Sequence, residues 1–251
     1  MTRRMLLAMA AAFVFAVGGV LGSLVMPVGS VVEAAPPAKC AGLPDEAALK
    51  GYLASVPSPD AGGLFDGTRM WGAVVNRDGE LCAWATSTAD PTQVWPGSQA
   101  IAKAKAYTAN AFSLDGFVLS TAKLYTFTQP GHSLWSLGQS NLFDPKALAP
   151  PSGAGGKGLA GGLIFFGGGV PLYSDGKIIG GLGVSGDTSC TDHEIAKRVR
   201  TAAGLNPAGG PLMDDITYSL PDGPSVFTHP LCPNTWRNGV FIGNEAVASG
   251  Y

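Results

Sequence analysis

Three histidines and four cysteines are the residues of this chain best equipped for metal or redox chemistry. Two of the histidines stand three residues from a cysteine, in Cys190-Thr-Asp-His193 and His229-Pro-Leu-Cys232. Imidazole binds late first-row metals and titrates near neutrality. If Cys190 and Cys232 pair, both rings are drawn to one corner, within about 10 to 15 Å, because a disulfide holds its Cα atoms about 5.5 Å apart. That geometry can make a site. It can equally be structural, with His193 bonding locally in the first turn of a helix and His229 serving as a turn residue before proline. His132, in Gln129-Pro-Gly-His-Ser-Leu-Trp135, becomes a ligand or gate only where its loop overlies a pocket.

Other chemistries are excluded by missing patterns. No Cys-x-x-Cys occurs, which removes a zinc ribbon, a thioredoxin-like centre and covalent c-type haem attachment. There is no Gly-x-Ser-x-Gly elbow, no His-Glu-x-x-His and no Asp-x-Asp-x-Asp calcium loop. Ser185 in Gly183-Val-Ser-Gly186 lacks the second spacer of a hydrolase elbow, and the same glycines fit neither a P-loop nor a dinucleotide fingerprint. A formal net charge of −2, with 14% charged residues, offers no basic field for nucleic acid.

The elements that must position these residues can be read from turn chemistry and periodicity. Gly161 to Gly186 is a glycine-studded apolar run split by Ser174-Asp-Gly-Lys177, which predicts a hairpin of Val170–Tyr173 and Lys177–Val184. Asn76-Arg-Asp-Gly79 predicts an earlier hairpin of Met70–Val75 and Glu80–Ala85. Pro44 to Leu53 reads as a short helix. Ser98 to about Leu114 reads as the longest one, with Ile101, Ala104, Thr108, Ala111 and Phe112 in one stripe. Thr191-Asp-His-Glu194 reads as a capping box that opens a helix through Arg200, with Ile195 and Val199 inward. Phe117 to Phe127 is weakly helical or irregular. Gln129 to Gly162, rich in Gly, Pro, Ser and Asn, is expected to overlie the pocket. The tail from Asn206 is loop-rich, with Val240 to Gly243 as an edge strand. With 251 residues and 46% hydrophobic content, the chain suits one domain with extensions.

Four blocks in order, Trp71 to Glu80, Ile101 to Phe112, Gly168 to Leu172 and Gly181 to Gly186, resemble the GlcG/HbpS-like haem-binding family, which is related to the C-terminal domain of PduO-type proteins. The resemblance runs from about Thr68 to Gly204. It implies an α/β (α+β) domain whose antiparallel sheet, of the profilin-like or PAS/GAF-like kind, is flanked by helices. It also implies a homo-oligomer and haem as the ligand. On that resemblance the helix of Lys105, Thr108 and Phe112 borders the ligand site, with Lys105 meeting a propionate and Thr108 offering a hydroxyl. The bland alternative is a snorkelling lysine and a back-bonded threonine. Gly168 and Gly169 either accept a flat ligand or let the helix pack closely. His193, His229 and His132 are the candidate iron ligands.

The expected organisation is an export signal over residues 1–34, an N-terminal extension over 35–67, the family domain over 68–205 and a loop-rich extension over 206–251. Thr2-Arg-Arg-Met-Leu-Leu7 and the apolar run after it fit a Sec or twin-arginine signal for a periplasmic or extracellular protein, cleaved near Ala34; an uncleaved segment would be a membrane anchor. Four exported cysteines allow three connectivities. Cys40 with Cys82 and Cys190 with Cys232 is favoured, because each bridge clips one extension to the domain. The leading function is a haem or tetrapyrrole binder that is non-catalytic or weakly redox-active. The alternatives are an enzyme or accessory factor for a small organic acid, with Lys103, Lys105, Arg198 and Arg200 as anion contacts, and a disulfide-stapled assembly module.

Overall fold

The structure, a computed structural model, describes residues 39–144, 146 and 158–247. The expected export signal and residues 147–157 of the long loop lie outside the described residues. Strands β1 (Trp71–Asn76), β2 (Leu81–Thr86), β3 (Gly169–Ser174) and β4 (Lys177–Ser185) form one antiparallel sheet in the order β2-β1-β4-β3. Both expected hairpins are present. The second turns at Asp175 and Gly176, both at positive φ, as the turn chemistry requires.

Alternation along the strands sends two different surfaces to two layers. On one face Val74, Leu172, Leu182 and Val184 meet Leu49 and Leu53 of helix α1 (Glu46–Ser55) and Ile195 and Val199 of helix α4 (Ser189–Ala202). On the other face Trp71, Ala73 and Val75 meet Ala102 and Ala106 of helix α2 (Gly97–Ala111). The β4 positions that face α2 are glycines. A Cβ on Gly183 would lie 1.9 Å from the Ala102 carbonyl oxygen, and one on Gly181 would lie 2.2 Å from that of Ala106. The helix axis therefore approaches the sheet at a distance only glycine permits.

The α2 stripe needs correction. Ala104 and Thr108 are buried as expected, but so are Ala102 and Ala106, which face the sheet, and Ala109, whereas Ile101 and Phe112 are half-buried and Ala111 is exposed. Its outer side is covered by residues 158–166. That stretch starts on the first hairpin, where Leu81 N–H donates to Gly158 O at 2.8 Å, and reaches α2 where Ile164 N–H donates to Thr108 Oγ1 at 3.0 Å. The first-turn assignment of α4 is also corrected. Its N-cap is Thr188, whose Oγ1 accepts from Thr191 N–H at 3.3 Å, so the helix starts three residues before the expected box.

Both favoured disulfides form, Cys40–Cys82 and Cys190–Cys232, and no cysteine is free. The tail is more ordered than expected. Val240–Gly243 pairs with Thr235–Arg237, and Thr217–Tyr218 pairs with Thr228–His229. These segments seal the polar side of α4, where Asp192, His193, Glu194, Lys197 and Arg200 are all buried. Arg200 donates to both carboxylate oxygens of Asp214 at 2.7 and 2.9 Å, and Lys197 donates to Asn238 Oδ1 at 2.8 Å. Among the described residues no helix is long and apolar enough to cross a membrane.

Candidate functional site

The disulfide between Cys190 and Cys232 brings His193 and His229 into one corner, but that corner is closed. His229 is 1% exposed. Its Nδ1 lies 2.7 Å from the Pro230 carbonyl, which can only accept, so Nδ1 carries the proton; Nε2 accepts from Gly167 N–H at 3.2 Å. Burial pushes this ring down to about 4, so it is neutral at neutral pH. His193 is fully buried with no hydrogen-bond partner on either ring nitrogen among the described residues; the nearest carboxylate oxygen is Asp215 Oδ1 at 3.7 Å. Burial, reinforced by the neighbouring Lys197 and Arg200 charges, holds it well below the usual histidine range. Neither ring has an open approach for a macrocycle.

The residues assigned to the α2 face are likewise committed inside the protein. Lys105 is buried, with Nζ 2.7 Å from Asp192 Oδ2 and 3.0 Å from Val184 O, over the Phe166 ring. It is not at a rim. Thr108 Oγ1 donates to Ala104 O at 2.7 Å and accepts from Ile164 N–H, which is the back-bonded reading. Gly168 and Gly169 serve close packing: a Cβ on the first would meet Val184 O at 2.5 Å, and one on the second would meet Lys105 O at 2.6 Å. Since α2 touches the glycine hairpin directly, a flat ligand has no room between them, and of the two roles open to Gly168 and Gly169 close packing is the one observed.

The organic-acid contacts fare no better. Arg200 is clamped by Asp214, Arg198 pairs with Asp60 and Glu194, and Lys103 lies over the Trp84 ring with Gln99 Oε1 3.2 Å away. These cations face internal partners.

Open space lies on the other side of α2. A cleft of about 210 Å³ is walled by Ile101 and Ala104 of α2, by Leu142 and Phe143, and by Leu163 and Ile164. A second hollow of about 320 Å³ shares Gly138, Leu163 and Ile164 with it and extends to Phe165, Thr128 and Ser136. No side chain lining either is charged. The short helix α3 (Leu137–Ser140) supplies Gly138 and Gln139. Phe112 stands beside this wall, its ring 6.2 Å from that of Phe165 in an edge contact. Thr128 and Ser136 bracket the loop that carries His132, an exposed side chain and the only one of the three histidines that is not buried.

A larger hollow of about 440 Å³ lies between α4 and the loop at Leu212, but it presents Glu194, Lys197 and Arg198. Those groups are engaged in ion pairs, and they suit an apolar ligand less well than the uncharged cleft.

The model of the family described as haem degrading protein HbpS-like matches residues 64–200, which include the entire sheet with α2 and most of α4. The chain belongs to the HbpS-like family. No curated protein matches its sequence. Among solved structures it is similar to the PduOC:heme complex, at 26% identity over 55% of this chain and 80% of that one, with a TM-score of 0.41. A Klebsiella pneumoniae protein, ORFY, is 21% identical over 63% and 83% of the two chains, with a TM-score of 0.43. HbpS itself is 22% identical over 55% and 75%, with a TM-score of 0.39.

The cleft walls were not singled out as a site by sequence reading. Leu163-Ile-Phe-Phe166 was visible as the apolar start of the glycine run, but nothing local shows that it crosses α2 some 60 residues earlier. A capping contact across that distance, Thr108 to Ile164, leaves no sequence pattern.

Proposed function

We propose that this HbpS-like protein binds haem, with the macrocycle held in the uncharged cleft on the outer side of α2. The observation that carries the reading is a continuous apolar wall, Ile101, Leu163, Ile164 and Phe165, on an element of the family match, opening beside a loop with an exposed histidine. Burying the faces of a flat apolar ligand there gains roughly 25 cal/mol per Å² removed from water. His132 is the histidine that would hold the iron, since His193 and His229 are sealed behind the tail. Haem, when bound, supplies a redox-active iron centre. The residues of the cleft orient the ring and exclude water from its faces.

We also place the protein in an oxidising compartment, which two structural disulfides with no free thiol support. Titration with haemin and with iron-free protoporphyrin tests the binding role. Both should bind saturably. His132→Ala should shift the haemin spectrum while leaving protoporphyrin binding unchanged; absence of saturable binding by either ligand would overturn the proposal.

A further inference from the structure

We propose that reducing the Cys190–Cys232 disulfide creates a zinc site whose ligands are Cys190, Cys232 and His229. The two sulfurs and a ring nitrogen of His229 all lie within 4.8 Å of one another, and all three residues are buried. Tetrahedral zinc, with bonds of about 2.3 Å to sulfur and about 2.0 Å to nitrogen, needs ligand atoms roughly 3.5 to 3.8 Å apart. The sulfurs, 1.99 Å apart when bonded, must therefore separate by somewhat under about 2 Å. The ring nitrogen needs a shift of about 1 Å.

Three further features prepare the corner for a cation. His229 donates Nδ1–H to the Pro230 carbonyl at 2.7 Å, which fixes the tautomer and leaves Nε2 as the lone-pair nitrogen; that lone pair accepts from Gly167 N–H at 3.2 Å and exchanges this donor for the metal. Metal-bound imidazoles characteristically donate their second nitrogen to such an acceptor. Cys190 stands in the first turn of the 14-residue helix α4, whose positive end favours a thiolate. Its own N–H points at Cys232 Sγ at 3.2 Å, a donor ready for the second thiolate. Ser189 Oγ, 3.4 Å from Cys232 Sγ and 3.5 Å from His229 Nε2, stands where a fourth ligand or a bridging water would be needed. The Cys40–Cys82 bridge has no such companions among the described residues.

The chemistry balances. A dithiol reductant delivers two electrons and two protons to the sulfur–sulfur bond, giving two thiols while it becomes a disulfide itself. Zinc then forms two bonds to sulfur and one to nitrogen, and the two thiol protons leave to solvent with no change in the metal's oxidation state. Reduction and metal binding thus replace one crosslink between α4 and the tail with another.

The test uses the full chain, reduced with a phosphine, with and without equimolar zinc, then alkylated with iodoacetamide and mapped by peptide mass. Zinc should slow alkylation of Cys190 and Cys232 by at least about tenfold and leave Cys40 and Cys82 at their metal-free rates. The protection should be lost in His229→Gln and retained in the Cys40→Ser/Cys82→Ser double variant. Cobalt added in place of zinc should give the thiolate charge-transfer absorption of a tetrahedral site. Equal alkylation of all four cysteines with zinc, equal protection of all four, or a reduced chain whose circular dichroism signals unfolding that zinc does not reverse would each overturn the proposal.

Discussion

The Lys105 ammonium of the central helix and the Asp192 carboxylate of α4 meet at 2.7 Å through the glycine edge of the sheet, with neither side chain more than 2% exposed. Burial pushes Asp192 up to about 6 and Lys105 down, and each opposes the shift of the other. Asp192 also accepts from Gly186 and Asp187 N–H at 3.1 and 2.9 Å. The pair joins two layers of the fold and is unavailable to a ligand. Lys105→Met leaves an uncompensated buried carboxylate, so urea unfolding should show a loss of about 3 to 5 kcal/mol. The haemin spectrum of the folded variant should match that of the wild type.

Close approach of α2 to the sheet makes Gly183 intolerant of any side chain. Because a Cβ there would meet backbone at 1.9 Å, Gly183→Ala should cost about 1 to 3 kcal/mol or more by forcing the helix outward. Gly51, in α1 with nothing within 4 Å of its would-be Cβ, is the control. Gly51→Ala should stabilise by up to about 1 kcal/mol in the same denaturation assay.

The hairpins were legible because Asp175 and Gly176, like Gly79, are turn residues whose positive φ is a local demand. The orientation of α2 was not. Alanine at 102, 104, 106, 109 and 111 gives both sides of the helix nearly the same hydropathy, so the period that separates core from cover is absent. Likewise the periodicity of α4 identified Ile195 and Val199, but nothing local marks His193, Lys197 and Arg200 as buried. Their cover, Asp214, Asp215 and Asn238, arrives from residues further along the chain. Burial of the two histidine rings is therefore a tertiary fact that withdraws them from solvent.

That burial has a pH signature. His229 has a folded value of about 4 against an ordinary 6.5, so between these limits the unfolded chain binds a proton that the folded chain refuses. Stability contributed by the neutral ring is intact above pH 6.5 and declines as pH falls, by up to about 3 kcal/mol near pH 4. His193 acts in the same direction, while Asp192, raised to about 6, opposes them below that pH. Urea midpoints should therefore be lower at about pH 4.5 than at about pH 7.5, and His193→Phe should flatten the difference. A higher midpoint at the lower pH would contradict this.

Both bridges should be present in the isolated protein. Each joins cysteines 42 residues apart, which corresponds to about 4 kcal/mol in the chain-entropy treatment. Thiol titration of denatured, unreduced protein should find no reactive cysteine. Two or more would contradict the pairing.

The central claim, haem in the cleft outside α2, is tested most directly by absorbance titration of haemin into the wild type and Ile101→Glu. Ile101 is half-buried and lines the cleft without contributing to the sealed core, so a carboxylate there opposes an apolar macrocycle while leaving the fold intact. The account predicts saturable binding by the wild type and affinity at least about tenfold weaker in the variant, at unchanged thermal stability. Equal haemin affinity in the two proteins would contradict it.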